Sequence, residues 1–409
     1  MIVKVYQSVS RHPGEIIFVL CLTTDERKME AKEWREVCRF VCTWNFWRMS
    51  IFWTFSLISS YLQLFLQRFL SEKNSTSFRR SSPSFHPPES VSIPPAVNDS
   101  RRPVCVITGA TSGLGAAAAK ALSMQGFSMV LVGRSSESLA KTLADIKKQN
   151  VTAPVKAFVV DVSSFESILK FKASLQSWLL EANMHPSIQL LINNAGILAA
   201  SSRINPRNYD QMMATNYIGA FCLTKVLLPL LENSPVPSRV INITSFTHRT
   251  VSGAKVDKET VTGKCFSRLK SYPFAHVYEY SKFCLLLFSY ELHRQLGLME
   301  KSYQVSVIAV DPGAVETNIM RELPPSIAWF ACLTLKVLGM LQTPEDGVSS
   351  ILDAALAGPE ISGVYFFGGN MNTIKSSALS YNSKLSKDLW ATSCDIFLES
   401  QLACSGASS

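Results

Sequence analysis

Several patterns that would place the chain in common functional classes are missing from its sequence. Its ten cysteines are scattered, only Cys38 and Cys42 lie close together, and there is no CxxC motif or Cys/His cluster with zinc spacing. No basic face is interleaved with aromatic residues, and neither zinc-finger nor basic-zipper spacing occurs. The sequence therefore predicts reduced thiols, no metal site and no nucleic-acid partner.

Charged residues are also scarce, at 17% of the 409 residues against 47% hydrophobic residues. This balance supplies a large buried core and is typical of a globular enzyme that carries some membrane-seeking surface. The net charge of +9 is uneven, because residues 1–102 hold 14 Lys and Arg against 9 Asp and Glu. A basic N-terminal region of this kind suits a membrane surface.

Residues 1–102 form an N-terminal extension with a candidate membrane segment at 49–67, MSIFWTFSLISSYLQLFLQ. These nineteen uncharged residues lie between Arg48 and Arg68, and their length just spans a bilayer core. They predict a membrane anchor, with an interfacial helix or a targeting segment as alternatives, in the endoplasmic reticulum or a plastid membrane. Orientation stays open. Residues 71–102 are rich in Ser and Pro and predict a flexible linker.

From Pro103 onward, short apolar runs alternate with long amphipathic stretches. Near-continuous Val, Ile and Leu runs between helices predict an α/β fold with a Rossmann-type, doubly wound parallel sheet. We expect one catalytic domain over 103–370 and a polar tail over 371–409 that holds a short helix. The strand-like runs are VCVIT (104–108), SMVLV (128–132), VKAFVV (155–160), IQLLIN (188–193), RVINIT (239–244), QVSVIAV (304–310) and GVYFF (363–367).

The first strand leads directly into TGATSGLG, residues 108–115, and then into a helix of small residues. Gly109, Gly113 and Gly115 let the backbone turn tightly and approach a pyrophosphate, whose charge then lies at a helix N-terminus. The spacing is G-x-x-x-G-x-G rather than G-x-G-x-x-G. With a strand before it and a helix after it, this motif predicts a dinucleotide site.

The end of the second strand indicates which dinucleotide binds. Where a carboxylate would hold the adenosine ribose hydroxyls, the chain has Gly133, and Arg134 follows it. An arginine there can bind a 2′-phosphate, so the sequence favours NADP(H) over NAD(H), with a surface arginine as the alternative. Asp161, after the third strand, is placed either to accept a hydrogen bond from the adenine amine or to cap the next helix.

These residues resemble the short-chain dehydrogenase/reductase superfamily over about residues 103–370. The long gap between Ser245 and Tyr278, and the text SFTH, resemble its retinol-dehydrogenase-like branch. The marks of the superfamily occur here in order: TGATSGLG, NNAG at 193–196, TNYIG with Asn216, ITS ending in Ser245, YEYSK with Tyr278 and Lys282, and DPGAVET at 311–317.

The resemblance implies a set of catalytic and cofactor-binding residues. Tyr278 would be the general acid and base, with its pKa lowered by Lys282 one helical turn away. Ser245 would bind the substrate oxygen, and Asn216 would hold a water that links Lys282 to solvent. The implied cofactor-binding residues are Thr108, Gly109, Thr111, Ser112, Gly113, Leu114, Gly115, Arg134, Asp161, Asn194, Ala195, Gly196, Tyr278, Lys282, Pro312, Gly313 and Thr317.

The sequence thus predicts an NADP(H)-dependent oxidoreductase that interconverts a carbonyl and an alcohol on a lipophilic small molecule. A possible homodimer through the Tyr278-bearing helix is implied by the resemblance, as is membrane contact through the N-terminal segment. The alternatives are a non-catalytic NADP(H) sensor and a scaffold acting through a protein partner. His248 and His276 flank the site but favour wall or loop roles. Residues 326–342 predict an apolar lid, a membrane contact or plain core packing.

Overall fold

The computed structural model describes residues 34–35, 37–73, 102–298 and 304–406. Most of the linker predicted at 71–102 lies outside these described residues. The main body is one parallel sheet with helices on both faces, and the strand order is β3-β2-β1-β4-β5-β6-β7. Its strands are β1 (Val104–Thr108), β2 (Ser128–Gly133), β3 (Val155–Val159), β4 (Leu190–Asn193), β5 (Ser238–Ile243), β6 (Val305–Asp311) and β7 (Val364–Phe367).

In the part of the chain that the structure describes, nine longer helices surround or flank this sheet. They are α1 (Thr54–Lys73), α2 (Gly113–Met124), α3 (Ser136–Gln149), α4 (Phe165–Glu181), α5 (Gly219–Glu232), α6 (Phe274–Gly297), α7 (Pro325–Val337), α8 (Ser349–Leu356) and α9 (Ser383–Gly406). Short α-helical pieces are Trp44–Trp47, Gln211–Met213, Lys258–Val261, Lys264–Ser267 and Pro344–Gly347. The described residues also form two π-helical turns, Arg48–Trp53 and Ala214–Ile218, and three 3₁₀ turns, Phe246–Thr250, Asn318–Met320 and Ala378–Tyr381. Two short strands, Ala314–Val315 and Leu341–Gln342, pair with each other.

The strand predictions are confirmed, each within two residues at either end. β1 and β2 are buried at every position because helices cover both faces, which is why their sequences read as unbroken apolar runs. Every pairing in the main sheet is parallel. The doubly wound α/β architecture predicted from the sequence is therefore correct.

The N-terminal segment (residues 44–73) packs along the catalytic domain rather than standing apart from it. Leu57 is buried in a cluster with Leu286 and Tyr290 of α6 and Phe367 of β7. Ser56 Oγ donates to the Phe246 carbonyl oxygen at 2.6 Å. The predicted membrane segment thus has one face committed to the catalytic domain.

The C-terminal tail is also part of the core. The short helix predicted there is the 24-residue α9, whose Leu389 and Ile396 are buried in the main hydrophobic cluster. Trp390 stacks on Phe288 of α6 at 6.1 Å between ring centroids. The boundary predicted at residue 370 therefore falls within one packed body. The average composition of the tail is polar, but one face of α9 is apolar and packs on the core.

Candidate active site

A cavity of about 330 Å³ opens at the carboxyl ends of the strands, between β1 and β4. From β1 the chain continues to β2 on one side of the sheet, and from β4 it continues to β5 on the other side. This reversal of strand order is where doubly wound sheets bind ligands. Gly109 and Gly113 have φ of +67° and +52°, which side chains rarely adopt. A Cβ on Gly115 would collide with the Gly109 carbonyl oxygen and the Asn194 amide.

Thr108 and Asn194 hold this turn against the end of β4. Thr108 Oγ1 accepts hydrogen bonds from the backbone N–H groups of Asn194 and Ala195, both at 3.0 Å. Asn194 Nδ2 donates to the Thr108 carbonyl oxygen at 2.9 Å. Thr108 therefore supports the turn from beneath, whereas Asn194, Ala195 and Gly196 line the cavity itself.

The residues of this turn fit a nicotinamide dinucleotide. Ser112, the N-cap of α2, makes no side-chain capping hydrogen bond, so the first N–H groups of the helix have no side-chain cap. Such N–H groups favour a phosphate. Further along the wall, the hydroxyls of Thr244 and Thr247 are buried without a hydrogen-bond partner among the described residues. Thr111, Leu114 and Thr317 also line this part.

Arg134 is exposed and lines the cavity directly after β2. A Cβ on Gly133 would lie 2.6 Å from Thr111 Cγ2, so a carboxylate-bearing residue at 133 would have to displace Thr111. The first side chain that can contact a ligand at this strand end is therefore the positively charged Arg134.

Asp161 lines the same end of the cavity, and one of its two predicted roles is excluded. Ser164, not Asp161, caps α4 by accepting from the Ser167 N–H. The Asp161 carboxylate instead accepts from the N–H and hydroxyl of Ser163, at 3.0 and 2.8 Å. Asp161 cannot cap α4, because a capping residue directly precedes the first helical residue and α4 begins at Phe165.

Ser245, Tyr278 and Lys282 meet at the other end of the cavity. Ser245 follows β5, while Tyr278 and Lys282 lie one turn apart on α6. Lys282 Nζ donates to the Ile243 carbonyl oxygen at 2.9 Å and lies 5.9 Å from the Tyr278 ring centroid. A Cβ on Gly196 would lie 3.3 Å from Lys282 Nζ, so glycine keeps that ammonium accessible.

The pKa of Tyr278 shifts in the direction opposite to the sequence-based expectation. Burial raises it, the negative charge of Asp311 raises it further, and the hydrogen bond with Ser245 lowers it only in part. Burial also lowers the pKa of Lys282 to about 8, although the Asp311 charge opposes this. The desolvation of both groups thus exceeds the attraction expected from their spacing.

Asn216 lies behind the cavity and is fully buried in the π-helical turn Ala214–Ile218. Its Oδ1 accepts from the Ile197 N–H at 2.8 Å, and its Nδ2 donates to the Ile197 carbonyl oxygen and to Ser281 Oγ. Both N–H donors of the amide are therefore engaged in fixing the backbone beside Gly196. The predicted water relay to Lys282 stays a prediction.

Asp311 ends β6 and shapes the turn that Pro312 and Gly313 contribute to the cavity wall. Its carboxylate accepts from Tyr365 Oη at 2.6 Å and from the Gly313 N–H at 2.9 Å. Burial raises the pKa of Asp311 to about 6. It lies too deep to contact substrate and holds the turn in place.

The two flanking histidines have structural contacts. The buried His248 Nδ1 lies 2.6 Å from the Ser245 carbonyl oxygen, and its Nε2 accepts from the Ser377 N–H at 3.2 Å. Burial lowers its pKa to about 3, so the ring is neutral. His276 lies 3.6 Å from the Glu279 carboxylate. Neither lines the cavity, so the wall role that the sequence favoured as one alternative is not observed for either residue.

The sequence did not reveal the residues that close the outer end of the cavity. Trp53 comes from the N-terminal segment, Phe246 follows Ser245, and Leu335 and Leu341 belong to the stretch after the Pro-Gly turn. The apolar character of residues 326–342 was visible, and its Leu335 contributes to this wall. Trp53 lay inside a run that reads as a membrane segment, so nothing in its sequence context indicated a catalytic cavity.

The fold and this cavity together define a class of protein. A parallel sheet with a glycine turn at its switch point, and Ser, Tyr and Lys beside it, is the arrangement of a nicotinamide-dinucleotide oxidoreductase. A family model described as short chain dehydrogenase matches residues 103–254. Human polyprenol dehydrogenase is 31% identical over 301 residues, which cover 72% of this chain and 84% of that protein. The chain belongs to the short-chain dehydrogenase/reductase family.

Further relatives place it in the retinol-dehydrogenase-like branch. Human retinol dehydrogenase 11 is 29% identical over 295 residues, covering 72% of this chain and 85% of that protein. The Arabidopsis thaliana dehydrogenase/reductase family member FEY is 28% identical over 268 residues, covering 64% and 65%. Among solved structures, a variant of actinorhodin polyketide ketoreductase with NADPH matches with a TM-score of 0.52 at 22% identity, over 67% of this chain and all of that one. That likeness supports the fold.

Proposed function

We propose that the chain is an NADP(H)-dependent oxidoreductase that interconverts a carbonyl and an alcohol, with Tyr278 as the general acid and base. The observation that carries the proposal is that Ser245, Tyr278 and Lys282 line one cavity with the glycine turn. A proton donor and a dinucleotide cradle in one cavity are what a hydride-transfer reaction requires.

In this proposal each polar side chain has a separate task. A dinucleotide held by the glycine turn would provide the hydride for reduction of the carbonyl carbon, and its oxidised form would accept that hydride in the reverse direction. Ser245 donates a hydrogen bond to the substrate oxygen and stabilises the charge that develops there. Tyr278 gives its phenolic proton to that oxygen, and Lys282 stabilises the resulting phenolate. In the reverse direction, Tyr278 takes the proton back from the alcohol.

The preference for NADP(H) rests on Arg134. It is the first side chain after β2, and the space at Gly133 is restricted by Thr111, so the strand end offers a cation and no carboxylate. A guanidinium binds a 2′-phosphate bidentately, whereas NAD(H) has none to bind.

A lipophilic substrate is supported by the wall around Tyr278. Trp53, Phe246, Leu335 and Leu341 are all apolar or aromatic and line its outer end. Relatives are named for polyprenol and for retinol, both long apolar alcohols. We therefore propose an isoprenoid-like or retinoid-like alcohol, or its carbonyl form, as the substrate class.

The reaction is tested with the Tyr278→Phe variant of the full chain. We expect loss of NADP⁺ reduction with geranylgeraniol or retinol by at least about 1,000-fold, because the proton acceptor is gone, with unchanged NADPH affinity. Tyr280→Phe is the matched control, since that tyrosine lies on the same helix but donates to the Lys255 carbonyl oxygen away from the cavity. NADPH binding without turnover of any apolar alcohol by the wild type would support the sensor alternative, and no dinucleotide binding would support the scaffold.

Membrane association is proposed through an apolar surface beside the cavity rather than through a spanning helix. The residues 44–67 are long and apolar enough to cross a bilayer, yet Leu57, Ser56 and Ser60 are buried against the domain. The other face exposes aromatic side chains, among them Phe55 and Phe65. A helix with one face docked and one apolar face exposed suits an in-plane position at the lipid interface. The endoplasmic reticulum and plastid locations stay predictions.

Sedimentation with vesicles of phosphatidylcholine and phosphatidylserine tests this surface. Phe55→Ser with Phe65→Ser is expected to release most of the bound chain, whereas Leu180→Ser on α4, an equally exposed apolar residue, leaves binding unchanged. Retention of the wild type after alkaline carbonate extraction would instead indicate a spanning anchor. A homodimer also stays a prediction, and it cannot use the face of α6 that α9 covers.

A further inference from the structure

Glu279, the residue after Tyr278, is a buried carboxylate whose partners come mainly from the N-terminal segment. Its side chain has no exposed surface, and Arg48 Nε donates to its two oxygens at 2.9 and 2.8 Å. Arg48 Nη2 donates to the same carboxylate at 2.5 Å, and Trp53 Nε1 donates to Oε1 at 2.6 Å. Burial raises the pKa of Glu279, but the hydrogen bonds from His276, Arg48 and Trp53 and the Arg48 charge outweigh it, so the carboxylate is ionised.

The π-helical turn explains how Arg48 and Trp53 reach the same carboxylate. The turn runs from Arg48 to Trp53, the first and last of its six residues. In an α-helix, residues five apart point roughly 140° away from each other. In a π-helix, residues i and i+5 are one hydrogen-bonded turn apart and lie on one side. Both side chains can therefore face Glu279, and π-helical turns are frequent at functional sites.

Trp53 is held against the catalytic tyrosine by this arrangement. The centroids of the Trp53 and Tyr278 rings lie 5.6 Å apart with an interplanar angle of 42°. Trp53 lines the same cavity as Ser245, Tyr278 and Lys282. Its indole N–H is bonded to Glu279, so the ring face, and not the polar edge, is available to a substrate.

We propose that Trp53 is a specificity-determining residue of the active site, and that Arg48 and Glu279 are positioning residues that hold it there. The proposal rests on the oxidoreductase function above and adds that residues 44–73 are part of the enzyme's substrate site. The substrate class that fits is an alcohol or carbonyl whose neighbouring carbons form a flat, apolar group, because an indole face packs on such groups without hydrogen-bonding to them.

The test compares geranylgeraniol with its fully hydrogenated counterpart, which has the same chain length but no flat group beside the reacting carbon, in the full chain with NADP⁺. In Trp53→Ala we expect KM for geranylgeraniol to rise about tenfold while kcat stays within about threefold. The reason is that the indole ring contacts the carbon skeleton of the substrate and takes no part in proton transfer. KM for the hydrogenated alcohol should rise by less than about threefold, because it lacks the flat group that the indole face packs on. Trp53→Phe should restore most of the loss, because it keeps a ring at this position.

Trp47→Ala is the matched control, because Trp47 is half-exposed on the same segment and does not line the cavity. Glu279→Gln should reproduce the KM effect of Trp53→Ala while leaving NADPH affinity unchanged, which a general loss of folding would not do. Equal changes in Trp53→Ala and Trp47→Ala, or unchanged KM in both, would overturn the proposal.

Equilibrium dialysis of labelled geranylgeraniol against the NADP⁺-saturated chain separates this inference from the proposed function. Wild-type binding without turnover would contradict the reaction, and the specificity role would still be read from the dissociation constants of the Trp53 variants. Absence of binding to the wild type would overturn the proposed substrate class and the role of Trp53 together.

Discussion

The two ends of the cavity are built in different ways. The cofactor end uses backbone and small residues from the carboxyl ends of β1, β2 and β4, and its key turn occupies eight consecutive residues, 108–115. The substrate end brings together Trp53, Phe246, Tyr278 and Leu335, which belong to four separate parts of the chain. A turn that binds a fixed chemical group can be encoded locally, whereas a wall that selects among substrates is assembled by tertiary packing.

Among the effects on cofactor binding and stability, the largest is expected at the cofactor end, from Gly115→Ala. The added Cβ would collide with the Gly109 carbonyl oxygen in the tightest part of the turn. We expect NADPH affinity, followed by fluorescence titration, to fall more than about 100-fold. Gly297→Ala is the control, since a Cβ there has open space. Binding within threefold of wild type would contradict the assignment of this turn to the pyrophosphate.

At the substrate end, Glu279→Gln tests the long-range contact. Removing the charge leaves the largely buried Arg48 without its anionic partner, so the free energy of unfolding should fall by about 3 kcal/mol in urea denaturation. The exposed pair of Glu259 and Arg268 provides the control, because Glu259→Gln should cost less than about 1 kcal/mol. Equal losses would show that the buried contact of Arg48 with Glu279 adds no more stability than an exposed ion pair does.

A smaller effect distinguishes the two cofactors. Arg134→Ala should raise the dissociation constant of NADPH about tenfold and leave that of NADH unchanged, because only NADPH carries the 2′-phosphate. Arg268→Ala, an exposed arginine outside the cavity, should alter neither. If both dissociation constants rise equally in Arg134→Ala, the residue acts on the turn and not on the phosphate.

The smallest effect is a pH dependence centred on His248, which ties the loop of Ser245 to Ser377. Its pKa is lowered from 6.5 to about 3 by burial, so between these values the unfolded chain binds a proton that the folded chain does not. Stability contributed by the neutral ring is therefore complete above pH 6.5 and is lost as the pH falls toward 3, by about 1.4 kcal/mol per pH unit at most. Urea unfolding of His248→Gln between pH 7 and 5 should show a shallower slope. Identical slopes would contradict the burial of a neutral histidine.

The contrast also explains how far sequence reasoning reached. The strands, the glycine turn and the order of the family motifs are local patterns, and they were enough to predict the fold and the residues of the glycine turn that line the cavity. The pKa shifts of Tyr278 and Lys282 are caused mainly by desolvation, and the spacing of the two residues on a helix does not reveal how deeply they are buried. Hydropathy predicts a membrane segment at residues 49–67, but it does not reveal that Leu57 within this segment packs on a distant helix.

The contact between Arg48 and Glu279 also constrains biosynthesis. The two residues are 231 positions apart, so the N-terminal segment leaves the ribosome long before its partner helix. At 5–20 residues per second, the interval is roughly 10 to 50 seconds. Until those residues have been synthesised, Leu57 lacks the partners on α6 and β7 that bury it in the folded structure. The substrate end of the cavity therefore cannot be complete until α6 and the later residues Leu335 and Leu341 have been synthesised.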